Sequence, residues 1–202
     1  MQFDNAYSFV IQKLESELPK YLTYHNAAHT KEVLEAVEGL AASENISGNE
    51  LTILKTGALF HDAGLLETYK THEDISCKMA RQWLPKFDYN KEEIDQVCSL
   101  IMATKMPQAP ETKLAEILCD ADLSYLGTDT YIMKADKLYK ELHEAGIIKD
   151  REEWRNVEIK FLQTHNFFTK SAITKYSQKI KHNEERLREN EFGYKTKKHR
   201  FT

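Results

Sequence analysis

Apolar residues recur every three or four positions along almost the whole chain, and this period limits the fold more than any other feature. Over residues 27–44, for example, Val33, Val37 and Leu40 fall on one face of a helix. Alternation with a period of two, the pattern of a half-buried strand, is hard to find. Only 7 glycines and 4 prolines interrupt the 202 residues. The sequence therefore predicts an all-α fold.

Glycine, proline and polar breaks divide this pattern into nine predicted helices. They span about residues 5–18, 27–44, 50–64, 71–84, 91–104, 113–127, 130–144, 150–168 and 177–190. The helix over 50–64 is apolar nearly all round, so we expect it at the centre of the core. Neither an internal repeat nor a low-complexity linker divides the chain, which predicts a single domain over residues 1–202.

Composition and charge exclude some classes of protein. With 28 Lys and Arg against 32 Asp and Glu, the net charge is −4, whereas non-specific nucleic-acid binding needs a positive field. We expect the basic run Lys195–Arg200 to be a solvated tail. No stretch approaches the roughly 20 apolar residues of a membrane span, and the first residues lack the layout of a signal peptide. Cys77, Cys98 and Cys119 are unclustered, as expected for reduced thiols of a cytoplasmic protein.

Two short segments combine residues that can bind metals or transfer protons. In "YHNAAHT", His25 and His29 are four residues apart at a predicted helix start, and residues with this spacing share one helix face. In "LFHDAG", His61 and Asp62 are adjacent at the end of the apolar helix. Their side chains can converge on one ion most easily in the last turn, where we expect Gly64 to loosen the backbone.

An acid in a later apolar helix extends this set. Asp122 lies within "CDADLSYLG", and a buried carboxylate is costly unless a cation or hydrogen-bond donors satisfy it. Asp120 is instead expected to face solvent or to cap a helix. Two imidazoles and two carboxylates together suit a divalent first-row metal or magnesium.

These segments, in this order, resemble the H…HD…D signature of the HD superfamily of metal-dependent phosphohydrolases. The resemblance spans residues 24–126, and its most specific parts are "HDAG" and "DADLSYLG". From "DREEWRNVEIKFLQTHNFFT" onward the chain is more loosely similar to the C-terminal helices of uncharacterised bacterial members. The resemblance implies an all-α domain with its metal-site core at about 20–130 and C-terminal helices at about 130–200. By position, it implies the metal ligands His29, His61, Asp62 and Asp122.

The segment "YHNAAH" is also similar to the cyclic-nucleotide phosphodiesterases of this superfamily. In those enzymes the earlier histidine protonates the leaving oxygen and does not bind metal. The resemblance therefore makes His25, one turn before His29, a general acid, and an ordinary histidine pKa of about 6.5 suits this role at neutral pH. Asp62 would act in catalysis by bridging two metals if a second ion were bound.

His72 lies where two-metal members of the superfamily place a further histidine, so we include it among the candidate catalytic residues. Those members usually add another histidine on the next helix, where this chain has Thr104 and Lys105 in "SLIMATKMP". We therefore expect one metal site and leave a second open, and we expect Thr104 and Lys105 to bind the substrate phosphate. The remaining histidines are expected to be structural or solvated: His143, His165, His182 and His199.

The predicted function is hydrolysis of a phosphate ester or anhydride of a nucleotide, or of a similar small molecule, by a metal-activated water. The metal could be Mn, Mg, Fe, Co, Ni or Zn, because His and Asp ligands accept all of these. Two alternatives stay open, namely a regulatory or binding module with a structural metal site and a di-iron oxygenase of the same superfamily. Alarmone hydrolases and five-prime deoxynucleotidases are not supported, because they carry acids where this chain has Leu65 and Leu66. A homodimer is also left open, and no membrane partner is expected.

Overall fold

A computed structural model describes the backbone of residues 1–198 and the side chains of residues 1–188. Over this range the regular elements are nine α-helices and three short 3₁₀ helices, which confirms the predicted all-α fold. The predictions for Lys195–Arg200 and for His199 fall outside the described side chains. No helix among the described residues is both long and apolar enough to cross a bilayer.

The helices follow the predicted order, with shifts at their ends. The α-helices are α1 (Phe3–Glu17), α2 (Ala27–Ser43), α3 (Gly48–Phe60), α4 (His72–Trp83), α5 (Lys91–Ala103), α6 (Lys113–Asp122), α7 (Tyr131–Glu144), α8 (Arg151–Thr164) and α9 (Lys170–Lys198). The 3₁₀ helices are Ala63–Leu66, Leu84–Phe87 and Ser124–Gly127.

Two compact units make up the chain, of which the first spans Met1–Leu123 and the second begins at Ser124. In the first unit α3 packs against α1, α2, α5 and α6. Leu54, Leu59 and Phe60 have no exposed surface, as the apolar pattern over 50–64 predicts. All the candidate catalytic and metal-binding residues lie in this first unit. A single domain over residues 1–202 stays a prediction.

In the second unit, α9 packs against α8 and against the 3₁₀ helix Ser124–Gly127. The buried Asn183 side chain donates hydrogen bonds to the carbonyl oxygens of Leu126 (2.8 Å) and Thr128 (3.2 Å). Gly127 allows the 3₁₀ helix to pack closely on Tyr176 of α9, because a Cβ atom on residue 127 would lie 2.5 Å from the Cβ of Tyr176. These contacts hold residues 126–128 against α9.

Candidate metal centre

His29 is positioned by the cap of α2. The side-chain oxygen of Asn26 accepts hydrogen bonds from the backbone N–H groups of Ala28 (2.9 Å) and His29 (3.4 Å). The helix therefore begins at Ala27, so His29 lies in its first turn and His25 precedes the cap. The prediction that His25 and His29 share a helix face is wrong, because Asn26 starts the helix between them.

His61 and Asp62 occupy the turn that follows α3. His61 keeps a helical backbone (φ −52°, ψ −40°), whereas Asp62 leaves the helix at φ −104° and ψ 4°. This change of direction allows the two neighbouring side chains to converge. Gly64 has a φ outside the left-handed region, and its predicted loosening of the backbone stays a prediction. Gly64 is needed because a Cβ atom there would lie 2.0 Å from the carbonyl oxygen of His72.

Four side-chain atoms from α2, the turn after α3 and the end of α6 come together. The Nε2 atom of His29 lies 3.2 Å from Asp122 Oδ1, 3.4 Å from His61 Nε2 and 3.6 Å from Asp62 Oδ2. The Nε2 atom of His61 lies 3.2 Å from Asp62 Oδ2 and 3.5 Å from Asp122 Oδ1. Ligands about 2.0–2.2 Å from one metal are separated by roughly 3.0–3.6 Å when they are neighbours in its coordination sphere. His29, His61 and Asp122 therefore lie close enough together to hold a single ion, and Asp62 Oδ2 lies beside the two histidines. That Asp62 binds the same ion stays a prediction.

Hydrogen bonding around these atoms also fits a metal. His61 Nδ1 lies 2.7 Å from the carbonyl oxygen of Ala58. In the neutral ring that binds a metal, a proton on Nδ1 makes this bond and leaves the Nε2 lone pair facing the other ligands. Asp62 Oδ2 is buried and has no hydrogen-bond partner among the described residues, because its contact with His61 Nε2 is close but not aligned as a hydrogen bond. A cation would satisfy both atoms.

The electrostatics of the site keep its carboxylates charged. Burial opposes ionisation of Asp62, but His61 and His72 outweigh it and hold the pKa of Asp62 well below its ordinary value. Burial also opposes ionisation of Asp122, but His29 and His61 outweigh it and lower the pKa of that carboxyl. Burial would lower the pKa of His61, but Asp62 and Asp122 raise it well above the usual histidine value. Both carboxylates are therefore ionised at neutral pH, as metal ligands must be.

The two predicted catalytic histidines flank the four candidate ligands. The ring centroid of His25 lies 5.6 Å from that of His29. His72 Nε2 lies 3.4 Å from Asp62 Oδ1, the carboxylate oxygen that does not face His29 and His61. The ring of Tyr69 neighbours both histidines, with centroids 6.1 Å from His25 and 6.5 Å from His72. These residues place ionisable and aromatic groups beside the candidate metal position.

The structure gives other partners to the two residues predicted to bind phosphate. Thr104 is buried and its hydroxyl donates to the carbonyl oxygen of Ile101 (2.8 Å). Lys105 Nζ pairs with Asp74 Oδ2 (3.1 Å) in the first turn of α4. Their contact with a substrate stays a prediction. The expectation of a solvent-facing or capping Asp120 is wrong, because this residue has no exposed surface and precedes the end of α6.

Three residues near the site were not predicted from the sequence: Tyr69, Glu73 and Ser76. Glu73 is buried and its Oε1 lies 3.7 Å from His72 Nε2. Ser76 has no exposed surface and bonds to the turn after α3. A signal was available in "HEDISCKMA", where positions 73, 76 and 80 share one face of the predicted helix. Polar residues are rare on the buried face of a helix, and such exceptions indicate a local role.

The family model of the HD domain matches residues 26–124, a range that contains all four candidate ligands. The chain carries an HD domain. The predicted resemblance to HD-superfamily phosphohydrolases is thereby confirmed, and an HD domain implies binding of a divalent metal. No curated protein sequence matches the chain significantly.

Solved structures share the fold of this HD-domain chain. It is similar to a predicted HD superfamily hydrolase from an uncultured Thermotogales bacterium, with 16% identity and a TM-score of 0.60 over 94% of this chain and 91% of the other. It is also similar to Bacillus subtilis YpgQ, solved in complex with ADP, with 16% identity and a TM-score of 0.64 over 94% of this chain and 97% of YpgQ. At this identity the likeness shows the fold. The HD domain supports a metal-dependent hydrolase in general.

Proposed function

We propose that the chain is a metal-dependent phosphohydrolase that acts on a phosphate ester or anhydride of a nucleotide or similar small molecule. The observation that carries this proposal is the convergence of His29, His61 and Asp122 within the HD domain, with Asp62 Oδ2 beside both histidines. The buried Asp62 Oδ2 atom, which has no hydrogen-bond partner among the described residues, adds support. The ADP complex of YpgQ, a protein of the same fold, supports a nucleotide substrate.

The four ligands would hold one divalent ion of the group Mn, Mg, Fe, Co, Ni and Zn. Such an ion, when bound, polarises a phosphoryl oxygen and lowers the pKa of a bound water towards neutrality. The chain prepares the ligands for this ion. The Ala58 carbonyl orients the His61 ring, and the Asp62 carboxylate directs Oδ2 to the histidines and Oδ1 to His72.

His72 would act on Asp62. Its Nδ1 lies 3.1 Å from the carbonyl oxygen of Tyr69, which fixes the ring and leaves Nε2 facing Asp62 Oδ1. Burial would lower the pKa of His72, but the Asp62 carboxylate outweighs it and raises the pKa. His72 can therefore carry a proton beside Asp62 and hold the carboxylate in place.

His25 would be the general acid that protonates the leaving oxygen. Its ring contacts those of Tyr24 (4.7 Å between centroids) and His29 (5.6 Å) edge-on, so it lies next to a ligand without being one of the four. The residue is half-buried, which leaves it a route for reprotonation from solvent. Lys105, at the end of α5, would contact the substrate phosphate by exchanging its pairing with Asp74.

The proposal is tested by metal analysis together with a panel of phosphorylated substrates. The wild-type chain should contain near-stoichiometric metal and release phosphate from at least one nucleotide mono-, di- or triphosphate or cyclic nucleotide. Asp62→Ala should lose metal and activity together. Asp95→Ala is the matched control, since Asp95 is an exposed carboxylate paired with Arg81 on α4 (2.5 Å), and it should keep both.

Two results would overturn the proposal. Stoichiometric metal in Asp62→Ala would show that the ligand assignment is wrong. A metal-loaded wild-type chain that releases phosphate from none of the substrates would contradict the phosphohydrolase activity while leaving the metal site in place.

A further inference from the structure

Ser76 connects α4 to the turn that carries His61 and Asp62. Its hydroxyl oxygen accepts a hydrogen bond from the backbone N–H of Gly64 (2.8 Å), and its proton is donated to the carbonyl oxygen of His61 (2.8 Å). Ser76 has no exposed surface, so water does not compete for these bonds. With one donor and one acceptor engaged, the hydroxyl has a fixed direction.

The two backbone groups that hydrogen-bond to Ser76, the His61 carbonyl and the Gly64 amide, lie on either side of Asp62 in the chain. The last carbonyl groups of a helix have no partner within that helix, and the Ser76 hydroxyl supplies one for His61 just after α3 ends. The Gly64 amide lies two residues beyond Asp62. The backbone around Asp62 is therefore tied to α4 at both ends, through a single side-chain oxygen.

The contact between the turn and α4 is close enough to exclude larger side chains. A Cβ atom on Gly64 would lie 2.0 Å from the His72 carbonyl oxygen and 2.8 Å from the backbone nitrogen of Ser76. The turn thus rests directly on the backbone of the first turns of α4, the helix that begins with His72.

We propose that Ser76 is a positioning residue of the metal centre. It holds the turn 61–64 in the conformation that directs Asp62 Oδ2 towards His29 and His61. This inference rests on the proposed function, since it assumes that Asp62 is a metal ligand. It assigns to Ser76 a role that its burial alone would not require.

The predicted effect of Ser76→Ala is a loss of metal affinity. The substitution removes one oxygen, adds no volume and frees the turn to change direction. Groups that orient metal ligands from outside the coordination sphere typically contribute about 10–100-fold to metal affinity, so we expect Mn²⁺ to bind Ser76→Ala about 10–100-fold more weakly than wild type.

Thr56→Val is the matched control. Thr56 has no exposed surface, and its hydroxyl lies 2.7 Å from the Thr52 carbonyl oxygen and 2.8 Å from the Tyr89 hydroxyl. Valine removes this buried hydroxyl and keeps the volume, in the same helix that leads to His61. We expect both Thr56→Val and Ser76→Ala to lower thermal stability, because each removes a buried hydrogen-bonded hydroxyl. Thr56→Val should leave Mn²⁺ affinity unchanged.

The experiment is calorimetric titration of Mn²⁺ into the full chain after chelation, with circular dichroism to establish that each variant is folded. If Ser76→Ala does not fold, Ser76→Cys replaces it, because a thiol is only slightly larger than a hydroxyl and forms only weak hydrogen bonds. Its affinity should also fall. Weakened binding in the Ser76 variant alone supports the proposal.

Two other outcomes would overturn it, and they are distinguishable. If wild type binds Mn²⁺ and the folded Ser76 variant binds as tightly as Thr56→Val, Ser76 has only a structural role and the proposed function is unaffected. If wild type binds none of the divalent ions tested, the metal site itself fails and the role of Ser76 fails with it.

Discussion

His25 differs from the four candidate ligands in what its removal should do. His25→Ala should keep the metal and lose about 10²–10⁴-fold in kcat/KM, because a general acid is needed in the transition state and not for coordination. The loss should shrink for a nitrophenyl ester, whose departing oxygen needs little protonation. The measurement is kcat/KM on a poor and a good leaving group, with metal titrated in each case.

His29→Ala is the comparison for this variant. Removal of a ligand should weaken metal binding, and part of the lost rate should return at high metal concentration. If added metal rescues His25→Ala in the same way, His25 is a ligand. If His25→Ala is fully active on the poor leaving group, the general-acid role is wrong.

His165, at the end of α8, makes stability depend on pH. Its ring stacks on Phe161 (5.6 Å between centroids) and meets Phe167 edge-on (4.9 Å), and burial lowers its pKa to about 4. The unfolded chain takes up this proton near the ordinary histidine pKa of about 6.5. The stability that the neutral ring contributes is therefore complete above pH 6.5 and is lost as the pH falls towards 4.

His165→Phe should remove this dependence, since phenylalanine cannot take up a proton. Allowing for the part of the ring that water reaches, wild type should lose about 1 kcal/mol relative to the variant between pH 7 and pH 5. Urea unfolding at both pH values measures the difference. Unfolding free energies that change in parallel with pH would contradict the buried neutral histidine.

At the scale of helices, the N-cap of α2 links stability to the metal centre. Asn26→Ala removes the acceptor for the N–H groups of Ala28 and His29, which should cost about 1 kcal/mol of unfolding free energy. It should also weaken metal binding, because His29 lies in the turn that loses its cap. Urea unfolding and metal titration measure the two effects.

Asn90→Ala is the control for this prediction. Asn90 caps α5 in a capping box with Glu93, a helix that supplies none of the four candidate ligands. Its loss should lower stability by a similar amount and leave metal affinity unchanged. Equal metal affinities in the two variants would show that the cap of α2 does not position His29.

The helices could be predicted from the sequence because each buries one apolar face, and their ends could not be predicted equally well. The pattern places residues 113–127 in one helix, whereas α6 ends at Asp122 and a 3₁₀ helix follows. Apolar spacing is similar in α- and 3₁₀ turns, so it does not register this change. The start of α2 depends on two hydrogen bonds to the side-chain oxygen of Asn26, which apolar periodicity does not report.

For the molecule as a whole, the candidate ligands could be predicted from the sequence, whereas the residues that contact and position them could not. His29, His61, Asp62 and Asp122 stand out because polar residues interrupt apolar segments in a recognisable order. Ser76 can bond to the turn after α3 only because α4 packs against that turn. Tyr69 lies beside His25 and His72 only because the chain folds back to the site. Such contacts arise from tertiary packing between segments, which spacing within one helix does not describe.

The central claim is that His29, His61, Asp62 and Asp122 hold one divalent metal ion. The most direct test is an anomalous difference map from crystals of the full chain grown with Mn²⁺, recorded above the manganese absorption edge. We predict a peak within about 2.5 Å of His29 Nε2, His61 Nε2, Asp62 Oδ2 and Asp122 Oδ1. The absence of a peak among these atoms, or a peak bound only by other residues, would contradict the claim.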